Sequence, residues 1–208
     1  MLDLRSIGYA EDFCPTSEAV AGGRRQALVL GAPSLSNGAA GALTFLARLI
    51  NAVAVVEIGT GTGVSGLALL DGMAPDGVLT SISSEADWQL EARKALQATG
   101  VPSRRLRLIT GAALDVLNNL RDGAYDLVFI NGDKLEYVEY LAQAARLLHR
   151  GGLAVVNDAL WHNLVADPRN EDDETVIIRE TLASVLETED FTPLLVPLGD
   201  GLLVALRR

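Results

Sequence analysis

Val56-Glu57-Ile58-Gly59-Thr60-Gly61-Thr62-Gly63-Val64-Ser65-Gly66 is the stretch on which the reading of this chain turns. The β-branched run at residues 53–58 predicts a strand, the helical period of 64–73 predicts a helix, and alternating glycines join the two. Glycines at such a junction let the backbone pass close to a ligand, and the N–H groups at the helix start suit an anionic or polar group. The segment from Gly61 to Gly66 fits G-x-G-x-x-G, so a dinucleotide-binding fold is one legitimate reading. A tight turn without a ligand is the plainer alternative, and the glycines together with Ser65 speak against it.

Short apolar runs recur after this loop at 78–82, 106–110, 127–130 and 153–156, separated by segments of helical period at 85–99, 113–120 and 137–149. Strands alternating with helices in this way predict a parallel sheet with helices on its faces. The continuous apolar character of the runs suits strands buried on both sides. The pattern then changes to an acidic loop, a helix near 175–187, and two closing strands at 192–196 and 202–206. Pro197-Leu198-Gly199-Asp200-Gly201 is short enough to join those strands only as an antiparallel hairpin. Two helices are expected before the first strand, at 17–30 and 38–50. The sequence therefore predicts one α/β domain over 1–208, with an N-terminal helical segment (1–50) and a sheet core (51–208).

Composition narrows the classes of function. The 208 residues carry 27 Asp and Glu against 17 Lys and Arg, a formal charge of −10, which argues against nucleic acid as a partner. The most apolar stretch, 39–58, is interrupted by Arg48, Asn51 and Glu57, so no membrane span is expected. Asp3, Arg5, Glu11 and Asp12 stand where a secretory signal would be apolar, which predicts a cytoplasmic protein. The one cysteine, Cys14, can form neither an internal disulfide nor a cysteine-based zinc cluster.

Glu57 ahead of the glycines turns the loop into E-x-G-x-G-x-G, which resembles the first motif of the class I S-adenosylmethionine-dependent methyltransferases. The closing antiparallel hairpin is also expected of that family, whereas a nicotinamide-binding sheet ends in parallel strands. Further along, Tyr125-Asp126-Leu127-Val128-Phe129-Ile130-Asn131-Gly132-Asp133-Lys134, Asn157-Asp158-Ala159-Leu160-Trp161-His162-Asn163 and Gly199-Asp200-Gly201-Leu202 are similar to successive motifs of the small O-methyltransferases of the catechol and caffeoyl-coenzyme A type. The resemblance implies a Rossmann-like methyltransferase fold with a seven-stranded, mostly parallel sheet. It implies transfer of a methyl group from S-adenosylmethionine to a hydroxyl of a small, catechol-like aromatic acceptor. It also implies a cofactor site drawn from Glu57, Gly59, Thr60, Gly61, Gly63, Ser65, Ser83, Ala113, Asn131 and Asp133. In that family the loop wraps the methionine half of the cofactor, and a serine at the position of Ser65 meets its carboxylate. The N-terminal helices are expected to dock on a second copy as a homodimer.

Three departures from the family pattern bear on chemistry. Asn131 and the reversed pair Asn157-Asp158 replace the usual metal ligands, so two amides and one carboxylate stand where two carboxylates and one amide are usual. Magnesium favours anionic oxygens and dehydrates reluctantly, so weak metal binding or none is expected of Asn131, Asn157 and Asp158. Ser83 stands where an acidic side chain usually takes the ribose hydroxyls, with Glu85 either reaching back or charging the first turn of the next helix. Lys134 matches the family's lysine facing the acceptor hydroxyl, where it could act as base; the alternative is a solvated lysine paired with Asp133 or Glu136. Asn131 either orients the substrate or cofactor amine or caps a turn. Trp161 is read as a wall for an aromatic ring, His162 as an auxiliary group or a surface residue, and His149 as a complement to a helix carboxyl terminus. Two other classes remain open at this point: a methyltransferase-fold binding protein without turnover, and a dinucleotide-dependent oxidoreductase.

Overall fold

A computed structural model describes residues 3–208. In chain order its elements are α1 (Leu4–Phe13), α2 (Glu18–Leu30), α3 (Asn37–Leu49), β1 (Ala54–Ile58), α4 (Val64–Gly72), β2 (Val78–Ser83), α5 (Ala86–Ala98), β3 (Leu106–Thr110), α6 (Ala113–Leu117), β4 (Tyr125–Ile130), α7 (Tyr137–Leu147), β5 (Leu148–Asn157), α8 (Asp173–Glu187), β6 (Phe191–Val196) and β7 (Leu202–Arg207). Short 3₁₀ turns at Ser103–Arg105 and Lys134–Glu136 precede β3 and α7. The seven strands form one sheet in the order β3-β2-β1-β4-β5-β7-β6, parallel from β3 to β5 and antiparallel at β5–β7 and β7–β6. The Rossmann-like α/β arrangement with a closing hairpin is thus as the sequence predicts. No helix among the described residues is long and apolar enough to cross a membrane.

The strands alternate between two cores. Val55, Leu127, Phe129, Leu153, Val155, Leu202 and Val204 face α2 to α5 and pack with Leu43, Val64, Leu69 and Leu96. Their neighbours Val56, Ile58, Val128, Ile130, Ala154, Val156, Leu203 and Ala205 face the other way, against Leu117, Tyr137, Leu147, Ile178 and Val185 of α6 to α8. Both faces of the central strands are covered, which is why these runs are apolar throughout rather than alternating. The edge strand β6 exposes Leu194 and tolerates Pro193, which an inner strand would not.

One helix is additional to the expected set. α1 has no buried residue: Leu4, Ile7, Tyr9 and Phe13 are exposed, so its apolar residues add nothing to the core. It is held by its ends: Asp3 accepts the N–H of Ser6 at 2.8 Å, and Glu11 accepts the N–H of Gly38 at 2.9 Å and that of Gly199. β5 also starts earlier than the apolar run suggests, because Leu148 pairs with Tyr125 before a register shift brings Leu153 opposite Leu127.

Candidate active site

The strand order reverses between β1 and β4, and the loops leaving their carboxyl ends part to form a cleft of about 440 Å³. Open α/β sheets bind ligands at such a point, where neighbouring connections diverge to opposite faces. Gly59 and Gly61 form one wall, Ser83 and Glu85 follow β2, Ala113 follows β3, Asn131, Asp133 and Lys134 follow β4, and Asp158 follows β5. Gly59, at φ +93°, presses against the carbonyl of Asn131 so closely that a Cβ would collide with it. Only glycine satisfies both the left-handed backbone and this approach. The two loops that define the cleft therefore touch through bare backbone.

Four of the residues assigned to the cofactor by resemblance lie behind the loop rather than along the cleft. Glu57 is fully buried, and Ser81 donates to its Oε2 at 2.5 Å. Burial raises the Glu57 carboxyl to about 7, against the pull of the Ser65 and Ser81 hydroxyls. Thr60 Oγ1 lies 2.7 Å from Ser81 Oγ, and Gln89 joins the network by donating to Thr60 Oγ1 at 3.4 Å, while it ties to β3 by donating to Ile109 O at 2.9 Å and accepting from Thr110 Oγ1 at 2.5 Å. Thr60 and Ser65 are likewise buried, and Gly63 starts α4 at φ +91° with the backbone of Ala92 beside it. Together these groups brace the loop from the protein side.

After β2, Ser83 Oγ accepts the Glu85 N–H at 3.1 Å, leaving its own hydrogen free to donate. Glu85 begins α5 without capping it, and its carboxylate takes the Ser84 hydroxyl at 3.3 Å. After β4, Asp133 accepts the Leu135 N–H at 3.0 Å and so starts the 3₁₀ turn that carries Lys134. Lys134 Nζ lies 2.8 Å from Asp158 Oδ2. Asn157 does not line the cleft, but its Nδ2 donates to Asn131 Oδ1 at 2.9 Å and to Asp158 Oδ1 at 2.8 Å, and its carbonyl accepts the Tyr137 hydroxyl at 3.1 Å. Burial, with Asp158 next, holds the Tyr137 phenol well above its ordinary value.

His162 is 71% exposed; its N–H donates to Asp200 at 2.7 Å, and it does not line the cleft. His149 is at the opposite end of the sheet, where its Nε2 meets Asp126 Oδ1 and its Nδ1 meets the Arg150 carbonyl, each at 2.7 Å, rather than the last carbonyls of a helix as expected. Trp161 stands with its ring centroid 5.5 Å from Lys134 Nζ.

Several residues that shape the site went unread. Gln89 is buried in the stripe Gln89, Ala92, Leu96 of α5, and one amide in an apolar helical stripe was the available signal. Pro33, Trp88 and Tyr140 also line the cleft, and nothing in their local pattern marks them.

The sequence profile of a family described as O-methyltransferase matches residues 26–208. This chain belongs to the O-methyltransferase family. A protein of Mycobacterium sp. (strain JLS), provisionally named O-methyltransferase, is 44% identical over 97% of this chain and 91% of its own. The fold is similar to the O-methyltransferase TomG from Streptomyces achromogenes, described as involved in tomaymycin synthesis and solved with S-adenosylmethionine (TM-score 0.87, 26% identity, 100% of this chain and 99% of that one). It is also similar to a protein from Corynebacterium glutamicum (TM-score 0.88, 30% identity, 96% and 94% covered). In this O-methyltransferase the cleft carries four carboxylates, Glu85, Asp133, Glu136 and Asp158, and Lys134 as the one cationic side chain among its described lining residues. That balance suits a ligand bearing positive charge.

Proposed function

We propose that the protein is an S-adenosylmethionine-dependent O-methyltransferase acting on a hydroxyl of a small aromatic, catechol-like acceptor. The observation that carries this reading is the cleft at the carboxyl ends of β1 and β4, walled by Gly59 and Gly61 and holding Lys134 at its far side. The family and the S-adenosylmethionine complex of TomG support the cofactor. The glycine loop takes the methionine half, with Gly59 and Gly61 in contact and Glu57, Thr60, Gly63 and Ser65 fixing the loop's shape. Ser83 donates to the ribose, and Glu85, free of any capping duty, supplies the charged acceptor that Ser83 lacks. Ala113 borders the adenine, and Asn131 with Asp133 meets the cofactor amine.

Methyl transfer from a sulfonium is an in-line displacement, so its rate depends on holding the acceptor oxygen against the methyl carbon. Lys134 faces that oxygen. Exposed apolar residues on α1 and α3, among them Phe13 and Phe45, support a homodimer through the N-terminal helices. Calorimetric titration of metal-free protein with S-adenosylmethionine, with NAD as control, tests the reading. Binding of S-adenosylmethionine alone, followed by methylation of a catechol, is the expected result; binding of NAD alone, or of neither, defeats it.

A further inference from the structure

Lys134 and Asp158 form an ion pair that is largely withdrawn from solvent, with side chains 12% and 25% exposed. The ammonium also stands 4.9 Å from the centroid of the Tyr137 ring and 5.5 Å from that of Trp161, where ring faces attract a cation. The second oxygen of Asp158 is held by Asn157, whose other amide hydrogen goes to Asn131. Asn131, Asn157, Asp158 and Lys134 therefore form one continuous chain of partners.

A dication at this place would need oxygens from Asn131, Asn157 and Asp158. Asn157 instead presents its amide nitrogen, which cannot ligate a hard cation, to both neighbours. Turned over, the amide would still bring only a neutral oxygen, so the set offers a dication two neutral donors and one carboxylate. The one carboxylate of the set is already paired with Lys134, so the three donors bring a dication little uncompensated negative charge. The donor set does not fit magnesium.

We infer that the Lys134 ammonium is itself the cation of this site, and that the acceptor is a phenol engaged through a single oxygen, with no need for an adjacent hydroxyl. The inference rests on the methyl-transfer reading above. A divalent ion gathers two neighbouring oxygens at once, whereas one ammonium on a flexible stem pairs with one phenolate. The phenol releases its proton to solvent water as it binds beside Lys134. The phenolate oxygen then attacks the methyl carbon; the O–C bond forms as the C–S bond breaks, and the bonding pair remains on sulfur, which departs as a neutral thioether. The Lys134 ammonium, shared between Asp158 and the phenolate, takes no proton from the acceptor and holds the attacking oxygen in place.

Two measurements test this, and one does not depend on turnover. Manganese is titrated into protein loaded with S-adenosylhomocysteine, with free ion followed by electron paramagnetic resonance. Wild-type protein is expected to bind none up to about 1 mM, and Lys134→Gln, which frees Asp158, is expected to bind at least about tenfold more tightly. Tight binding by the wild type, or no gain in the variant, overturns the inference. In the second measurement, 4-nitrophenol and catechol are offered with S-adenosylmethionine in the presence of a chelator. Methylation of both, unchanged by added magnesium, is expected; methylation of catechol alone and only with magnesium overturns it. If neither acceptor reacts and calorimetry detects no S-adenosylmethionine binding, the methyl-transfer reading fails, while the manganese titration still decides which cation occupies the site.

Discussion

Ser81 donates its hydroxyl to Glu57 Oε2 across 2.5 Å in the closed space behind the glycine loop, while Glu57 Oε1 has no hydrogen-bond partner among the described residues. Burial lifts this carboxyl from 4.5 to about 7, and the Ser65 and Ser81 hydroxyls offset only part of the rise. The folded chain thus holds the proton more tightly than the unfolded chain does. The stability this contributes is complete below 4.5 and is lost as pH rises through about 7. Within that window the loss is about 1.4 kcal/mol per pH unit. Glu57→Gln, which keeps the shape without the charge, is expected to remove this slope. Urea midpoints of both proteins at about pH 5 and about pH 8 check it, with the variant gaining on the wild type at the higher pH.

Asp126 joins three strands at the other end of the sheet. Its Oδ2 accepts the N–H groups of Val53 and Ala54 at 2.7 Å each, and its Oδ1 meets His149. Asp126→Ala orphans two backbone donors and is expected to cost about 2 kcal/mol, whereas His149→Ala, at a half-exposed pair, costs under about 1 kcal/mol. The Asp126 carboxyl is lowered by the His149 hydrogen bond and the two backbone N–H groups against the cost of its burial, and His149 is raised chiefly by Asp126. The carboxylate's share of stability is lost as pH falls through its lowered folded value, and the imidazole's as pH rises through its raised one. Melting temperatures across pH should show both losses in the wild type, and in Asp126→Ala no acid-side loss and a smaller alkaline-side one, since the Arg150 carbonyl still favours the charged imidazole.

Gly59→Ala places a methyl group against the Asn131 carbonyl at a left-handed backbone position. A cost of about 3 kcal/mol is expected, with loss of S-adenosylhomocysteine affinity even where the protein stays folded. Denaturant unfolding and calorimetry of the same preparation separate the two effects.

Glu85→Gln removes the carboxylate proposed for the ribose. Affinity for S-adenosylmethionine should fall about tenfold, and affinity for adenosine by the same factor. Calorimetric titration of both ligands is the check; an unchanged adenosine affinity removes Glu85 from the site.

Much of the fold was legible because strands buried on two sides leave unbroken apolar runs, as at Val55, Val56 and Ile58, and because glycines punctuate the joints. α1 was not legible because it is only ten residues long, carries Gly8 in its middle, and turns Leu4, Tyr9 and Phe13 outward rather than into the core. The start of β5 was missed because His149, Arg150 and Gly151 are exposed and break the run before Leu153. The glycine loop could be placed, but not the destination of each side chain around it. Spacing along a helix gives a face, and Ser65, on the first turn of α4, is buried beside Glu57 rather than in the cleft. The pairing of Lys134 with Asp158 depends on the distance between two loops after β4 and β5, which no local pattern encodes.

The last strand of the chain is inserted between β5 and β6, with Leu202 opposite both Asn157 and Val196. β6, made first, has no neighbour in the sheet until β7 arrives, and the end of β5 that carries Asn157 keeps an open edge until then. The sheet therefore cannot be finished in chain order: β6 stays unpaired, and the edge of β5 stays open, until residues 202–207 slot between them. A chain cut short by a handful of residues would leave an adhesive strand edge rather than a slower enzyme.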